Sequence, residues 1–468
     1  METLREPQML TTRPPDESPM RVGVVGAGIT GLATVHHLRK RGIEAVCLEA
    51  QAEPGGVIRS FPVGSTDDRD RRVLEAGPQR LRLTGGIEEL IDDLGLWSEV
   101  LLASEELPIY VYNEGKLREV PRSLRAFLRT DLLSARGKCR VLAEPLTAPG
   151  NPEESAAELF TRKFGREAAE SLVGPLFGGT YGSDPARMPA RHALSGLIDL
   201  EAREGSLLKP ALKRIVLGES PPPISFTQGL GQLPRSLYET YADRIHLGTP
   251  VTAIERSRTG ADGDDGGNGR FVLATPESEE RVDRVAVTVD ARTAATLFDS
   301  VGARGLDGLG TLRYNPLAVV HLDSDFAGAG FGYQIQWDEK ATTLGVTWNA
   351  SLFDRENVYT AFLGGMKSPE ILERGNEELG AIAAREFEAV LGHDAEVLSV
   401  TRWEQGFPAY DASWDALDEL ELPDGIDLLT NYTARAGVSS RIGQAKGLAE
   451  EVASGTGQRG VAEPPAAD

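Results

Sequence analysis

RVGVVGAGITGLATVHHLRKRGIEAVCLEAQAEPGGVIRS, from Arg21 to Ser60, holds two glycine clusters with Glu49 between them. Arg21 to Val25 is a short valine-rich run, which predicts a buried parallel strand. Gly26, Gly28 and Gly31 follow in the GxGxxG spacing, with Ala27, Ile29 and Thr30 between them. Gly26 allows the tight turn, Gly28 leaves the backbone open to a pyrophosphate, and Gly31 lets a helix pack close to the strand. Leu32 to Arg41 predicts that helix, with free N-terminal N–H groups facing phosphates, and Gly42 ends it. Ile43 to Leu48 predicts a second strand. Glu49, followed by Ala50, stands where a carboxylate accepts hydrogen bonds from the ribose hydroxyls of an adenine dinucleotide. A lone GxGxxG is a weak signal. Strand, glycines, helix, strand and acid in this order are a strong one, and an acid at position 49 disfavours a cofactor with a 2′-phosphate.

The 468 residues are enough for two or three domains. No apolar run reaches the ~18 residues of a membrane helix. The segment METLREPQMLTTRPPDESPM has no apolar core and does not read as a secretory signal. Residues 1–19 and 455–468 are expected to be disordered tails. Two cysteines, Cys47 and Cys139, exclude a disulfide framework and offer no metal-ligand spacing. The adjacent His36 and His37 read as helix surface and packing, and no metal site is expected. A net charge of −22 argues against nonspecific nucleic-acid binding and is compatible with a salt-rich, halophilic cytoplasm. The stretch TGADGDDGGNGR, from Thr259 to Arg270, reads as a solvated acidic hairpin loop rather than a calcium loop.

The second cluster, Gly55, Gly56, Val57, Ile58 and Arg59, resembles the GG motif that follows the ribose acid in FAD-binding amine oxidases and protoporphyrinogen oxidases. Further matching segments are EAGPQRLR (75–82), LREVPRSL, TDLLSARGK, PLFGGTYGSDPARMPARHAL, FTQGLGQLPRSL, TPVTAIE and NYTARAGVSSRIGQA. Together they resemble the FAD-dependent protoporphyrinogen/coproporphyrinogen oxidases of the flavin amine oxidase superfamily, over roughly Arg21 to Val452. The glycine motifs are shared across the superfamily; the segment from Gly174 to Leu194 and TDLLSARGK discriminate more. The chain departs from the family pattern at Thr430, where Gly is more frequent, at Asp290, where Pro is usual, and at Arg80, a large residue beside the Gly-Pro turn.

The resemblance implies an α/β fold: a discontinuous, Rossmann-like (GR2-type) FAD-binding domain with a helical insertion and an α+β substrate domain. The FAD domain would take 20–88, 218–297 and 401–454, the helical insertion 89–217 and the substrate domain 298–400. Gly77, Pro78, Gln79 and Arg80 would place a turn against the isoalloxazine ring. Val251 would contact adenine through its backbone. Thr430, Asn431, Ala436, Gly437 and Val438 would lead into a last helix aimed at the flavin or pyrophosphate. The implied reaction is a six-electron, oxygen-dependent oxidation of a porphyrinogen to a porphyrin, with hydrogen peroxide as by-product. Protoporphyrinogen IX is the first reading and coproporphyrinogen III the alternative. The aromatising substrate supplies driving force, so the protein's task is to position a macrocycle beside the flavin; no catalytic side chain is assigned. Arg82 would pair with a propionate through its planar fork. Gly179 would give the macrocycle room, and Tyr181 would stack on a pyrrole or belong to the core.

Rival readings remain at this point. An amine oxidase or carotenoid desaturase shares the glycine motifs, but the former calls for an aromatic cage and a lysine near the flavin, and only Lys209 and Lys213 lie near the substrate-loop segments. A noncatalytic flavin- or porphyrin-binding protein is the other. The insertion shows no obvious exposed apolar run. The expectation is therefore a cytoplasmic enzyme, with at most peripheral contact at the inner membrane face and with a homodimer left open.

Overall fold

Five strands form the sheet fed by the first glycine motif: β1 (Arg21–Val25), β2 (Glu44–Leu48), β3 (Ile245–His246), β4 (Arg284–Val287) and β5 (Ile426–Leu428). Their order is β3-β2-β1-β4-β5, and every pairing is parallel. Val22, Val24, Val285 and Val287 are wholly buried, as expected for a sheet covered on both faces. The order reverses between β1 and β4, and in such sheets ligands lie beyond the carboxyl ends of the strands at that switch point. Helix α1 (Ile29–Lys40) follows β1, and α2 (Val438–Ser454) follows β5. The two helices pack on each other, and both start from the carboxyl edge of the sheet. Helix α1 starts before Leu32 because Gly28 serves as its N-cap. These features come from a computed structural model that describes residues 20–63, 72–104, 106–217, 221–257, 270–433 and 437–455. The expected tails (save Gly455), most of the acidic hairpin loop and Ala436 lie outside the described residues.

A second sheet of seven strands runs in the order Glu396–Pro408, Tyr314–Asp323, Val358–Gly364, Thr343–Thr347, Gly332–Ile335, Ile109–Asn113 and Lys116–Glu119. Alternation sends Ala318, Val320, Tyr359, Ala361 and Leu363 into a core with Leu379, Ile382 and Phe387 of the helix Asn376–Leu391. The alternate residues form the other face, where His321 pairs with Thr360 and Val319 with Phe362.

Four sequence expectations change here. The segment 89–217 is not helical throughout: Ile109–Asn113 and Lys116–Glu119 form a hairpin that extends the second sheet. Its turn residues Glu114 and Gly115 have φ of 51° and 70°, the mirror-image turn that matches strand twist. The strand Glu396–Pro408 likewise runs across the expected boundary at 400/401. The insertion also has exposed apolar side chains. Leu124, Leu128, Leu142 and Leu146 are exposed, with Arg122, Arg125, Arg129 and Arg136 exposed among them. Finally, His36 and His37 are both buried. His36 contacts Asp93 at 3.0 Å and the Tyr241 hydroxyl at 3.1 Å.

Candidate cofactor and substrate site

The first glycine loop is shaped by close approach. At Gly31 an added Cβ would lie 1.9 Å from the Gly26 carbonyl oxygen, so only glycine lets the helix sit this near the turn. Gly26 has φ +101°, and the Thr288 hydroxyl, just past β4, donates to the carbonyls of Val25 (2.9 Å) and Gly26 (3.0 Å). At Gly28 the added Cβ would meet nothing within 4 Å. That open space faces the start of α1, whose N-cap makes no side-chain hydrogen bond and whose first turn holds no acid. Gly437, with φ +114°, repeats the pattern at the start of α2: open space at its Cβ, no side-chain cap and no acid in the first turn. Two helices with free N–H groups thus start at the same edge of the sheet, an arrangement suited to anionic groups.

Glu49 links the strand end to this loop. Its Oε2 accepts from the Ala27 N–H at 2.5 Å and its Oε1 from Gln51 N–H at 2.8 Å. Each oxygen keeps acceptor capacity for a ribose hydroxyl. A cleft of about 280 Å³ opens beside this end of β2 and β3, lined by Leu48, His246, Thr249, Pro250 and Glu280; Val251 follows directly.

The second cluster is knitted to the first. Gly55 N–H donates to the Ala27 carbonyl at 2.8 Å, and Gly55 bridges Gly28 in parallel. The Arg59 Nε donates to Gly56 O at 2.8 Å. Gly77 in turn packs on this cluster, since an added Cβ would lie 2.2 Å from Val57 O. The chain from glycine loop to GG turn to Gly77-Pro78 turn is therefore continuous. Buried Gln79 spends its side chain on the protein. Its Nε2 donates to Glu75 O (3.1 Å) and Gly77 O (2.9 Å), and its Oε1 accepts from Asn349, whose Oδ1 accepts from the Thr360 hydroxyl. Only its backbone remains for a cofactor.

Sequence reasoning missed the hub behind this turn. Glu75 is buried and pairs with the Arg355 Nη2 at 2.9 Å. It also accepts from Ser60 Oγ and from Leu230 N–H. Burial raises its carboxyl pKa, and Arg355 opposes that shift. His321 Nε2 lies 3.0 Å from Glu75 O, and Trp403 Nε1 donates to Ala76 O at 2.7 Å. The turn is thus fastened to the inner face of the second sheet.

The substrate-side residues separate. Arg82 is exposed, and its Nη1 donates to Pro221 O at 3.0 Å. Gly179 does not open space for a macrocycle: an added Cβ would lie 1.8 Å from Gln334 Oε1, so the glycine answers to Gln334. Tyr181 stacks on Phe177 (5.8 Å, 19°) and meets Tyr410 edge-on at 4.7 Å, which favours the core reading. Arg441, in the first turn of α2, was not singled out in the sequence; burial lowers its pKa, and Tyr410 counters in part. Of the departures, Asp290 caps a helix by accepting from Arg292 and Thr293 N–H at 3.1 Å each. Buried Thr430 bonds Thr433. Asn431 and Val438 flank the last loop. His192, Asp415 and Asp418 cluster at the surface, but Arg191 already pairs with both acids.

The sequence profile described as flavin containing amine oxidoreductase matches residues 29–445. The chain belongs to this family. Its cofactor is FAD, and the open cradle at Gly28, the free start of α2 at Gly437 and the Glu49 carboxylate fit that group. Among curated relatives, protoporphyrinogen oxidase 2 of Arabidopsis thaliana is 26% identical over 86% of this chain and 87% of its own. Coproporphyrinogen III oxidase of Staphylococcus aureus is 24% identical over 83% of this chain and 88% of its own. A crystal structure from Exiguobacterium sp. 255-15, provisionally named a protoporphyrinogen oxidase, superposes with a TM-score of 0.75 at 22% identity, covering 94% of this chain and all of that one. This flavin family member is an oxidoreductase. Among the described residues no helix is long and apolar enough to cross a membrane.

Proposed function

We propose that the protein oxidises protoporphyrinogen IX to protoporphyrin IX with dioxygen as acceptor, in porphyrin and heme biosynthesis. The carrying observation is a family fold matched over most of its length by relatives that bear porphyrinogen oxidase names. Bound FAD supplies hydride acceptance from the macrocycle and transfer of electron pairs to dioxygen. The chain's share is placement. The cofactor set is the glycine loop (Gly26 to Gly31), Glu49 and Ala50, the GG turn (Gly55 to Arg59) and the backbone of the turn from Gly77 to Arg80. Val251, Thr430, Asn431, Ala436, Gly437 and Val438 complete it. Arg82 stands at the rim as a propionate partner. Coproporphyrinogen III is the alternative substrate, favoured by the Staphylococcus relative's name.

The enzyme is read as cytoplasmic. Its exposed leucines and arginines in 122–146 make peripheral contact with an anionic membrane surface, since local positive charge stands out on an acidic protein. Flotation with anionic but not neutral vesicles is the expected result. The substrate test supplies both porphyrinogens anaerobically to the FAD-loaded protein and then admits air. Porphyrin fluorescence from protoporphyrinogen, faster than from coproporphyrinogen, is expected. The reverse order favours the alternative, and no fluorescence from either ends the reading.

A further inference from the structure

Arg80 lies immediately before the short strand Leu81–Arg82, three residues beyond the Gly77 turn that packs on the glycine clusters. Resemblance puts it with the cofactor set, but its guanidinium is spent on an aromatic ring. It lies 5.2 Å from the ring centroid of Phe331, which directly precedes the second-sheet strand Gly332–Ile335. Arg80 therefore bridges from the dinucleotide unit toward the substrate sheet.

Three observations make this residue unusual. Among the described residues it has no carboxylate partner and no hydrogen bond. Burial pushes its guanidinium down to about 10, and the neighbouring charge of Arg82 adds to the effect. It nevertheless keeps some accessible surface. A cation–aromatic contact is only a modest stabilisation, while a withdrawn cation beside a like charge lacks the partner that normally accompanies it. Arg82 follows two residues on, near enough for its charge to act on Arg80.

We propose that Arg80 is a second anchor for a substrate carboxylate, so that Arg80 and Arg82 together take two carboxylate arms of one molecule. The proposal rests on the porphyrinogen reading above and deepens it. A porphyrinogen carries propionates on neighbouring pyrroles, and a carboxylate on Arg80 offsets the like charge of Arg82 beside it. Arg80 supplies the withdrawn, stronger site, and Arg82 the solvated one.

The test compares wild type, Arg80→Gln, Arg80→Lys and Arg82→Ala as FAD-loaded proteins. Quenching of intrinsic fluorescence reads binding of protoporphyrin diacid and of its dimethyl ester, with no turnover required. Arg80→Gln is expected to weaken the diacid at least about tenfold, to leave the ester within about twofold, and to keep FAD content and Tm. Arg80→Lys recovers part of the loss. KM for the porphyrinogen rises in parallel while kcat holds. Equal losses for diacid and ester, loss of FAD, or unchanged diacid binding in Arg80→Gln each overturn the proposal. If wild type binds the diacid tightly through Arg80 yet oxidises neither porphyrinogen, the oxidase reading fails and the anchor stands.

Discussion

Glu49 shows how one side chain serves two partners. Its carboxylate already accepts from Ala27 and Gln51 N–H groups, so Glu49→Ala removes loop support as well as the proposed ribose bonds. FAD affinity is expected to fall by about 1–3 kcal/mol, read by titrating the apoprotein with FAD, and unchanged affinity removes Glu49 from the ribose role. Arg82 gives a weaker expectation because it is exposed. Its replacement by Ala should lower kcat/KM by no more than about fivefold, the range of solvated ion pairs, with FAD content normal. Gly179 is a packing residue. Gly179→Ala drives a methyl group into Gln334 Oε1, an overpacking cost of about 1–3 kcal/mol in urea unfolding. Combining it with Gln334→Ala should recover most of that loss; additive losses from the two changes contradict the contact.

Between elements, the junction of the Gly77 turn with the second sheet rests on Glu75 and Arg355. Arg355→Leu leaves a buried carboxylate without its cation, so stability should drop by about 3–5 kcal/mol. Glu75→Gln in the same chain should restore a substantial part, which separates a lost charge partner from lost volume. None of this was legible in the sequence. Glu75 and Arg355 are 280 residues apart, as Gln79 and Asn349 are 270 apart, and no local pattern joins them. The dinucleotide unit was legible because its strand, glycines, helix and acid lie within one short stretch and each answers to a local rule. The hairpin at Ile109–Glu119 was legible in principle. IYVYNEGKLRE alternates around a turn pair whose second member is glycine, but the helical segments flanking it dominated the reading. The exposed leucines had a signal too, since Leu124 and Leu128 repeat at helical spacing on a helix with no buried residue.

At the scale of the molecule, buried histidines set an acid limit. His37 is wholly buried, and neither ring nitrogen has a hydrogen-bond partner among the described residues. Burial pushes its pKa to about 3, with His36, Arg41 and Lys446 adding and Glu89 opposing. Burial likewise lowers His321 to about 4. In the unfolded chain these rings titrate near ~6.5. Below that pH the unfolded chain binds more protons, so stability falls as pH drops toward about 4. His37→Leu removes one such proton. The stability gap between variant and wild type should widen in the variant's favour by about 1.4 kcal/mol per pH unit between ~6.5 and about 4; parallel curves in pH-dependent urea melts refute the assignment. The five-stranded sheet carries a different consequence. Its central strand is made at residue 21 and its last edge at residue 428. During synthesis the N-terminal glycine loop emerges long before the strand and helix that complete its cradle. Contacts so distant along the chain form late and slowly, so a nascent or truncated chain ending before Ile426 offers FAD half a grip, and flavin capture becomes a checkpoint on the finished polypeptide.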